Sequence, residues 1–297
     1  MNKMSRRYLL DAPEGFSLRH CIESHGWYDL LPFRYNENAG ALTYTFISAR
    51  GGEPSTIEIS ASGETGIEVL TDGIGKAETK RVLARLFRFD EPLDEFYGLI
   101  EGRPGLEWAG EVGAGRLLRS ATVYEDLIKT ICTTNCSWGL TKKMVTNLVE
   151  MLGEKSPSGE RAFPTPAAMA AAGVGFYKDE VRAGYRSLYL QELAEAVAAG
   201  VLEPESWLTV DVPTKELCGE IKKVKGIGDY AADHLLKLLG RYEGLALDSW
   251  LRSGFYKKHN KGKTCPDSKI ERHYKNFGRW KGLAIWCDMT ESWFGDR

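Results

Sequence analysis

One carboxylate stands out for its position. Asp248 opens the run Asp248-Ser249-Trp250-Leu251, twenty residues after Gly228. A carboxylate fixed at a helix start can stabilise positive charge on a reacting group, or orient and deprotonate a water. It can also serve simply as the helix N-cap, and the two roles are compatible. Upstream lies Leu217–Leu239, LCGEIKKVKGIGDYAADHLLKLL. Here an amphipathic segment runs into Val224-Lys225-Gly226-Ile227-Gly228, and a second helix starts at once. Gly226 and Gly228 allow a sharp turn and leave the backbone bare. Ile227 is expected to tuck inward and pin that turn. The first N–H groups of the second helix lack intrahelical partners and lie at its positive end, which suits a phosphate oxygen. Lys222, Lys223 and Lys225 add charge beside it. Such a grip positions a protein on a nucleic-acid backbone without reading sequence. A lone Gly-x-Gly between helices is also an ordinary corner.

The elements that must carry these residues can be read from the patterning. The helix Asp229–Leu239 takes the chain roughly 16 Å from the turn. The eight residues Gly240–Leu247 can span roughly 26 Å if extended. The chain can therefore return to the phosphate side and deliver Asp248 there. The first hundred residues read as strands. Ala41–Ala49 alternates Leu42, Tyr44 and Phe46 against Thr43 and Thr45, and Thr56–Ser60 and Gly66–Leu70 repeat the pattern around a turn-like ASGETG. Connections this short imply antiparallel pairing. A helix over Lys76–Phe89 follows, with Val82, Leu83, Leu86 and Phe87 on one face. The glycine-rich passage Glu101–Gly115 reads as a joint between domains. Beyond it the chain is almost wholly helical: Thr122–Thr134, Gly139–Leu152, a short Ala-rich helix from Ala167 to Ala172, Leu188–Ala199, Thr214–Lys223 and Asp229–Leu239. Lys155–Pro166 and the basic stretch Lys257–Lys269 read as loops. The expected class is α+β, with an antiparallel β domain over residues 1–105 and a helical domain over 106–297.

Composition narrows the class. Hydrophobic residues make up 43% and charged residues 27% of 297, ordinary values for a globular protein. No apolar run follows the charged start MNKMSRRYLLDAPEG, and nothing approaches ~18 uninterrupted apolar residues. Neither a signal peptide nor a membrane span is expected, and the compartment should be the cytoplasm and nucleoid, or a nucleus. Net charge is only −2 but is unevenly spread. Glu53–Glu111 holds six Lys/Arg against thirteen Asp/Glu, and Val210–Gly282 holds sixteen against nine, a swing from −7 to +7. A polyanion would be drawn to the second stretch. Cys21, Cys132, Cys136, Cys218, Cys265 and Cys287 form no CxxC, and the five His lack ligand spacing, so reduced thiols and no catalytic metal are expected.

With these residues in view, KGIGDYAADHLLKLL followed by LALDSW resembles the signature of the helix-hairpin-helix DNA glycosylase superfamily, which ends in an essential aspartate. LLRSATVYEDLIKTICTTNCSW resembles the helix pair opening that family's catalytic domain, and GYRSLYL at Gly184–Leu190 its wedge segment. The likeness covers roughly Leu117–Trp286. The N-terminal strands fit the β domain of the branch that contains 8-oxoguanine and 3-methyladenine glycosylases. The resemblance implies a base-excision repair enzyme acting on double-stranded DNA as a monomer, flipping a damaged base and hydrolysing its N-glycosidic bond with Asp248.

It also implies roles for other residues. Family members that cleave the strand carry a lysine two residues after the second hairpin glycine. Here that residue is Tyr230, which implies hydrolysis without lyase chemistry and an aromatic wall in the base pocket. Tyr185 corresponds to the wedge, Arg186 to a reader of the orphaned base, and Asn135 to a polar residue contacting it. That trio goes with cytosine recognition in the 8-oxoguanine branch, yet Leu140 replaces a further arginine of that branch. The first expectation is therefore removal of an alkylated purine such as 3-methyladenine. The alternatives are 8-oxoguanine opposite cytosine, or a non-catalytic DNA-binding module. The backbone carbonyls of Lys222, Val224 and Ile227 match positions that bind a structural monovalent cation in relatives. No other cofactor is implied: only Cys265 and Cys287 lie near the C-terminus, too few for the iron–sulphur cluster of some relatives.

Overall fold

The computed structural model describes residues 6–48, 52–63 and 66–294. Five strands, β1 (Arg6–Asp11), β2 (Phe33–Asn36), β3 (Ala41–Phe46), β4 (Ser55–Ser62) and β5 (Gly66–Thr71), are accompanied by a short helix, α1 (Leu18–Ile22). The remaining helices are α2 (Lys76–Phe87), α3 (Asp94–Ile100), α4 (Trp108–Glu111), α5 (Val123–Thr133), α6 (Trp138–Leu152), α7 (Pro166–Asp179), α8 (Arg186–Ala198), α9 (Thr214–Ile221), α10 (Asp229–Leu238), α11 (Ser249–His259), α12 (Asp267–Tyr274) and α13 (Lys281–Phe294). The α+β class is as expected. The division into parts is not. One compact unit joins residues 1–90 to 117–210, and the other joins 91–116 to 211–297.

The first unit carries the sheet, in the order β1-β5-β4-β3-β2 with every neighbouring pair antiparallel. Leu42 and Ile59 pair across β3 and β4, as do Tyr44 and Ile57, and all four are fully buried. The alternation read from the sequence is that buried face. Thr45 departs from it: it is buried, and its hydroxyl meets that of Thr56 at 3.0 Å. Ala49, and Glu64 and Thr65 of the expected turn, lie outside the described residues. Helix α2 stops at Phe87, before the expected Phe89, because Arg88 takes a left-handed φ of 54° and the next N–H, of Phe89, turns back to the Ala84 carbonyl.

The boundary expected at 105/106 fails because the sheet shares buried polar contacts with α5. Tyr44 donates its hydroxyl to Glu125 Oε2 at 2.8 Å, and Trp27 donates Nε1 to Asp126 Oδ1 at 2.8 Å. Asp126 also accepts from the Ser120 N–H at 2.9 Å and from Arg85 at 3.1 Å. Lys129, fully buried, lies 2.6 Å from Glu125 and 4.6 Å from the centre of the Phe33 ring. Buried charges persist when paired and hydrogen-bonded in this way. The cap at Thr122, which accepts from the Glu125 N–H, and the one at Ser137, which accepts from the Leu140 N–H, start α5 and α6 one residue from where the pattern places them. Helix α7 begins with the Ala-rich stretch and continues to Asp179 across Gly173, whose φ of 76° kinks it.

The second unit explains why the glycine-rich passage is no simple joint. Phe96 and Ile100 of α3, with Leu106 and Ala109, enter one apolar cluster with Tyr242, Phe255, Tyr274, Trp280 and Leu283. Arg252 clamps Asp267 through two bonds, Nε to Oδ1 at 2.9 Å and an Nη to Oδ2 at 2.8 Å, tying α11 to α12. The expected loop Lys257–Lys269 is shorter than read, since α11 runs to His259 and α12 starts at Asp267. Among the described residues, no helix is long and apolar enough to cross a membrane.

Removing the Asp126 carboxylate leaves the Trp27 N–H, the Ser120 N–H and the Arg85 guanidinium without their acceptor. Asp126→Ala is expected to cost about 3–5 kcal/mol of stability. Denaturant unfolding checks this, and a loss within about 1 kcal/mol would deny the network its role.

Candidate functional site

The glycine corner forms as its chemistry dictates. Helix α9 ends at Ile221, and a tight turn closes with the Ile227 N–H donating to the Val224 carbonyl at 3.1 Å. Gly226 takes a φ of 91°, a conformation that a side chain strains. Val224 and Ile227 are buried, so the turn is pinned from below as expected. Gly228 is extended, and a Cβ built on it would meet nothing within 4 Å. The backbone ahead of α10 is bare, and no side chain caps that helix start. A positive helix end facing open space is a place for an anion.

The lysines differ in part from the reading. Lys222 Nζ lies 2.5 Å from Asp229 Oδ1, and Lys223 Nζ 2.6 Å from Glu220 Oε1. Two of the three hairpin cations are thus paired within the hairpin, which lowers the local positive charge. The pairs are exposed, where such contacts are weak and exchange readily for another anion. Lys225 is exposed at the turn itself.

The return from α10 to Asp248 is held tightly. One peptide unit, Leu245–Ala246, is gripped at both ends by α10. Lys237 Nζ donates to the Leu245 carbonyl at 2.9 Å, and Asp233 Oδ2 accepts the Ala246 N–H at 3.1 Å. Asp233 and Lys237 are four residues apart, so they share one helix face. Ala246 is driven to a φ of 51°, a left-handed value rare for a residue with a Cβ. Gly244 and Gly282 complete the clamp: a Cβ on Gly244 would overlap the Asp233 carboxylate, and one on Gly282 would overlap the Gly244 carbonyl. Burial pushes the Lys237 ammonium down to about 8, against the pull of Asp233, Asp248 and Cys287 toward the charged form. Burial raises Asp233 in turn, opposed by its Ala246 bond and by Lys237.

Two residues beyond Ala246, Asp248 caps α11. Its Oδ1 accepts the Leu251 N–H at 2.7 Å, and the side chain is half-buried. The carboxylate is therefore oriented by its own helix and electrostatically coupled to a buried ammonium. Beside it, Trp250 groups with Trp286 and Trp293 of α13, with ring centres 5.3–5.9 Å apart. Trp250 is 42% and Trp293 37% exposed, and Lys237 Nζ lies 5.6 Å from the Trp286 ring centre. Tyr230 is half-buried, near-parallel to His234 one turn along at 6.1 Å. The sequence reading missed Lys237, Asp233 and the three tryptophans. The available signals were an Asp–Lys pair four apart on an apolar helix, and two tryptophans seven apart on α13.

In the first unit, Asn135, Tyr185 and Arg186 are brought together. Asn135 adopts a left-handed φ of 46° and its Nδ2 lies 3.5 Å from the Tyr185 hydroxyl. Tyr185 is 53% exposed, and its hydroxyl lies 3.3 Å from Thr134 Oγ1. Arg186, which corresponds to a reader of the orphaned base, packs inward in this structure. It is only 4% exposed, bonds the Thr134 carbonyl, and stacks its guanidinium 4.4 Å from the Tyr185 ring centre. In this conformation it stiffens the exposed tyrosine instead of reaching outward.

No protein-family model matches this sequence, nor does any curated protein. Solved structures do. The apo 8-oxoguanine glycosylase/lyase of Clostridium acetobutylicum is 22% identical, with a TM-score of 0.75 over 95% of each chain. The 3-methyladenine DNA glycosylase of Archaeoglobus fulgidus is 17% identical, with a TM-score of 0.78 over 97% of this chain and 99% of its own. The Schizosaccharomyces pombe 3-methyladenine DNA glycosylase, solved with abasic DNA, is 21% identical and covers 68% of this chain and 98% of its own, at a TM-score of 0.53. The chain shares the fold of these glycosylase structures.

The clamp has a measurable signature. Lys237 sits at about 8 in the folded state against 10.5 unfolded. The unfolded chain binds the extra proton between those values, so its contribution to stability is complete above pH 10.5 and is lost as pH falls toward 8. Relative to Lys237→Met, the wild type should gain up to about 3 kcal/mol across that window. Unfolding free energies of both proteins at pH 7.5 and 10 test this, and an unchanged difference contradicts it.

Proposed function

We propose that this chain is a DNA glycosylase that hydrolyses the N-glycosidic bond of a damaged base flipped from duplex DNA, with Asp248 as the catalytic carboxylate. The observation that carries the reading is Asp248 itself. It is fixed at the head of α11 by the Leu251 N–H, and follows two residues after a peptide that α10 holds at both ends. The hairpin grips a phosphate of the damaged strand at the start of α10, and Lys225 with the exchangeable Lys222 and Lys223 adds charge. Cleavage builds positive charge on the sugar as the C1′–N bond lengthens. Asp248 stabilises that charge and orients the attacking water. Water adds at C1′, its proton passes to the carboxylate, and the base departs with the bond electrons. Tyr185, stiffened by Arg186, fills the vacated stack, and Asn135 contacts the orphaned partner.

The neutral carbonyls of Lys222, Val224 and Ile227 would be the ligands of a monovalent cation at the hairpin, as the resemblance implies. The Val224 oxygen spends one lone pair on the Ile227 N–H and keeps the other. Such an ion would brace the turn against phosphate.

The preferred substrate is an alkylated purine such as 3-methyladenine, whose weakened bond needs modest catalysis. Asn135, Tyr185 and Arg186 correspond by resemblance to a cytosine-recognising trio, which gives a second reading, 8-oxoguanine opposite cytosine; in it Arg186 would have to leave the Thr134 carbonyl. Tyr230 stands where lyases carry their nucleophilic lysine, and Lys237 is committed to the Leu245 carbonyl, so strand cleavage is not expected.

Base release across duplexes carrying methylated purines or 8-oxoguanine tests the substrate. Cutting of 8-oxoguanine with methylated DNA untouched reverses the first choice. Asp248→Asn should lower base release by at least about 10³-fold while duplex affinity stays within about threefold. Unchanged release rejects the mechanism, and no release by the wild type on any duplex, with salt-dependent binding kept, leaves a binding module. Borohydride should trap no protein–DNA adduct, whereas a trapped adduct would assign a lyase.

A further inference from the structure

Three helices of the second unit converge on a cluster that the glycosylase reading does not use. His259 ends α11, His273 lies in the last turn of α12, and Asp288 lies midway along α13. One ligand atom from each lies within 4.8 Å of the other two. His259 Nε2 is 2.6 Å from Asp288 Oδ2, and the two imidazole centres are 4.4 Å apart. Asp288 is buried, His259 half-buried and His273 exposed. A helix-linking hydrogen bond needs only His259 and Asp288. The second imidazole brings another lone pair to the same point and lies at the solvent edge, which gives an ion a route in.

The surroundings orient the carboxylate. Tyr274 donates its hydroxyl to Asp288 Oδ2, and Lys258 Nζ lies 2.8 Å from Oδ1. The ammonium opposes a cation, yet it is shared with Glu291 at 2.6 Å, so Lys258, Asp288 and Glu291 together carry a net negative charge. Two imidazole nitrogens and one carboxylate oxygen form a donor set suited to Zn²⁺, and a tetrahedral ion would keep a fourth position for water. Partners bonded behind the ligands hold them in place for it.

We propose that His259, His273 and Asp288 bind a divalent transition-metal ion, Zn²⁺ foremost, that cross-links α11, α12 and α13. The ion's role is structural. Helix α11 separates His259 from Asp248 by eleven residues, about 16 Å, too far for the ion to touch the sugar. It would instead anchor the far end of the helix that presents Asp248.

The full chain, stripped with chelator, is titrated with Zn²⁺ by calorimetry and its metal content is measured after dialysis. One Zn²⁺ per chain and a raised thermal midpoint are expected. His273 is exposed, so His273→Ala should fold as the wild type by circular dichroism yet bind Zn²⁺ at least about tenfold more weakly. Absence of stoichiometric Zn²⁺ in the wild type overturns the proposal. So does binding unchanged in His273→Ala, which would assign the metal to thiols such as Cys265. None of these readouts uses DNA, so their failure is separate from that of the glycosylase reading.

Discussion

A single peptide, Leu245–Ala246, carries the geometry of the candidate site. Lys237 holds its carbonyl and Asp233 its N–H, both from one face of α10. The same helix begins at the bare backbone of the glycine corner. The glycine corner and the loop that leads to Asp248 are therefore referenced to one helix, α10. Burying a lysine costs free energy, and its lowered ionisation records that cost. The left-handed Ala246 adds strain of about 1–3 kcal/mol. Both are tolerated because Gly244 and Gly282 let the return loop approach α10 and the start of α13 without side chains. A carboxylate intended only as a helix cap needs none of this.

The first unit works by the same logic. Its sheet, the segment between α1 and β2, and α2 are joined to α5 through the acceptors Glu125 and Asp126, which take Tyr44, Trp27 and Arg85. At its surface, Arg186 spends its guanidinium on Thr134 and on the face of Tyr185. An exposed aromatic ring is costly to order unless something stiffens it.

Local chemistry was legible in the sequence. The corner at Gly226 and Gly228, the inward Ile227, and the cap at Asp248 each depend on a few adjacent residues. Strand alternation at Leu42, Tyr44 and Phe46 read correctly for the same reason. Partnerships between distant residues were not legible. Phe96 and Ile100 belong with Phe255 and Trp280, more than 150 residues away, so the β/α boundary misplaced them. Lys222 pairs with Asp229, and Arg186 is buried on Thr134, where composition suggests free cations. Lys237 in HLLKLL reads as a solvated charge, and only the folded return loop supplies its acceptor.

The account turns on Asp248 facing positive charge at a sugar ring. The most direct measurement compares affinities for a duplex carrying a cationic pyrrolidine abasic analogue and one carrying neutral tetrahydrofuran. The wild type should prefer the cation by at least about tenfold, and Asp248→Asn should lose that preference while still binding tetrahydrofuran DNA. Equal affinity of the wild type for the two duplexes, or a preference that survives the substitution, would contradict the account.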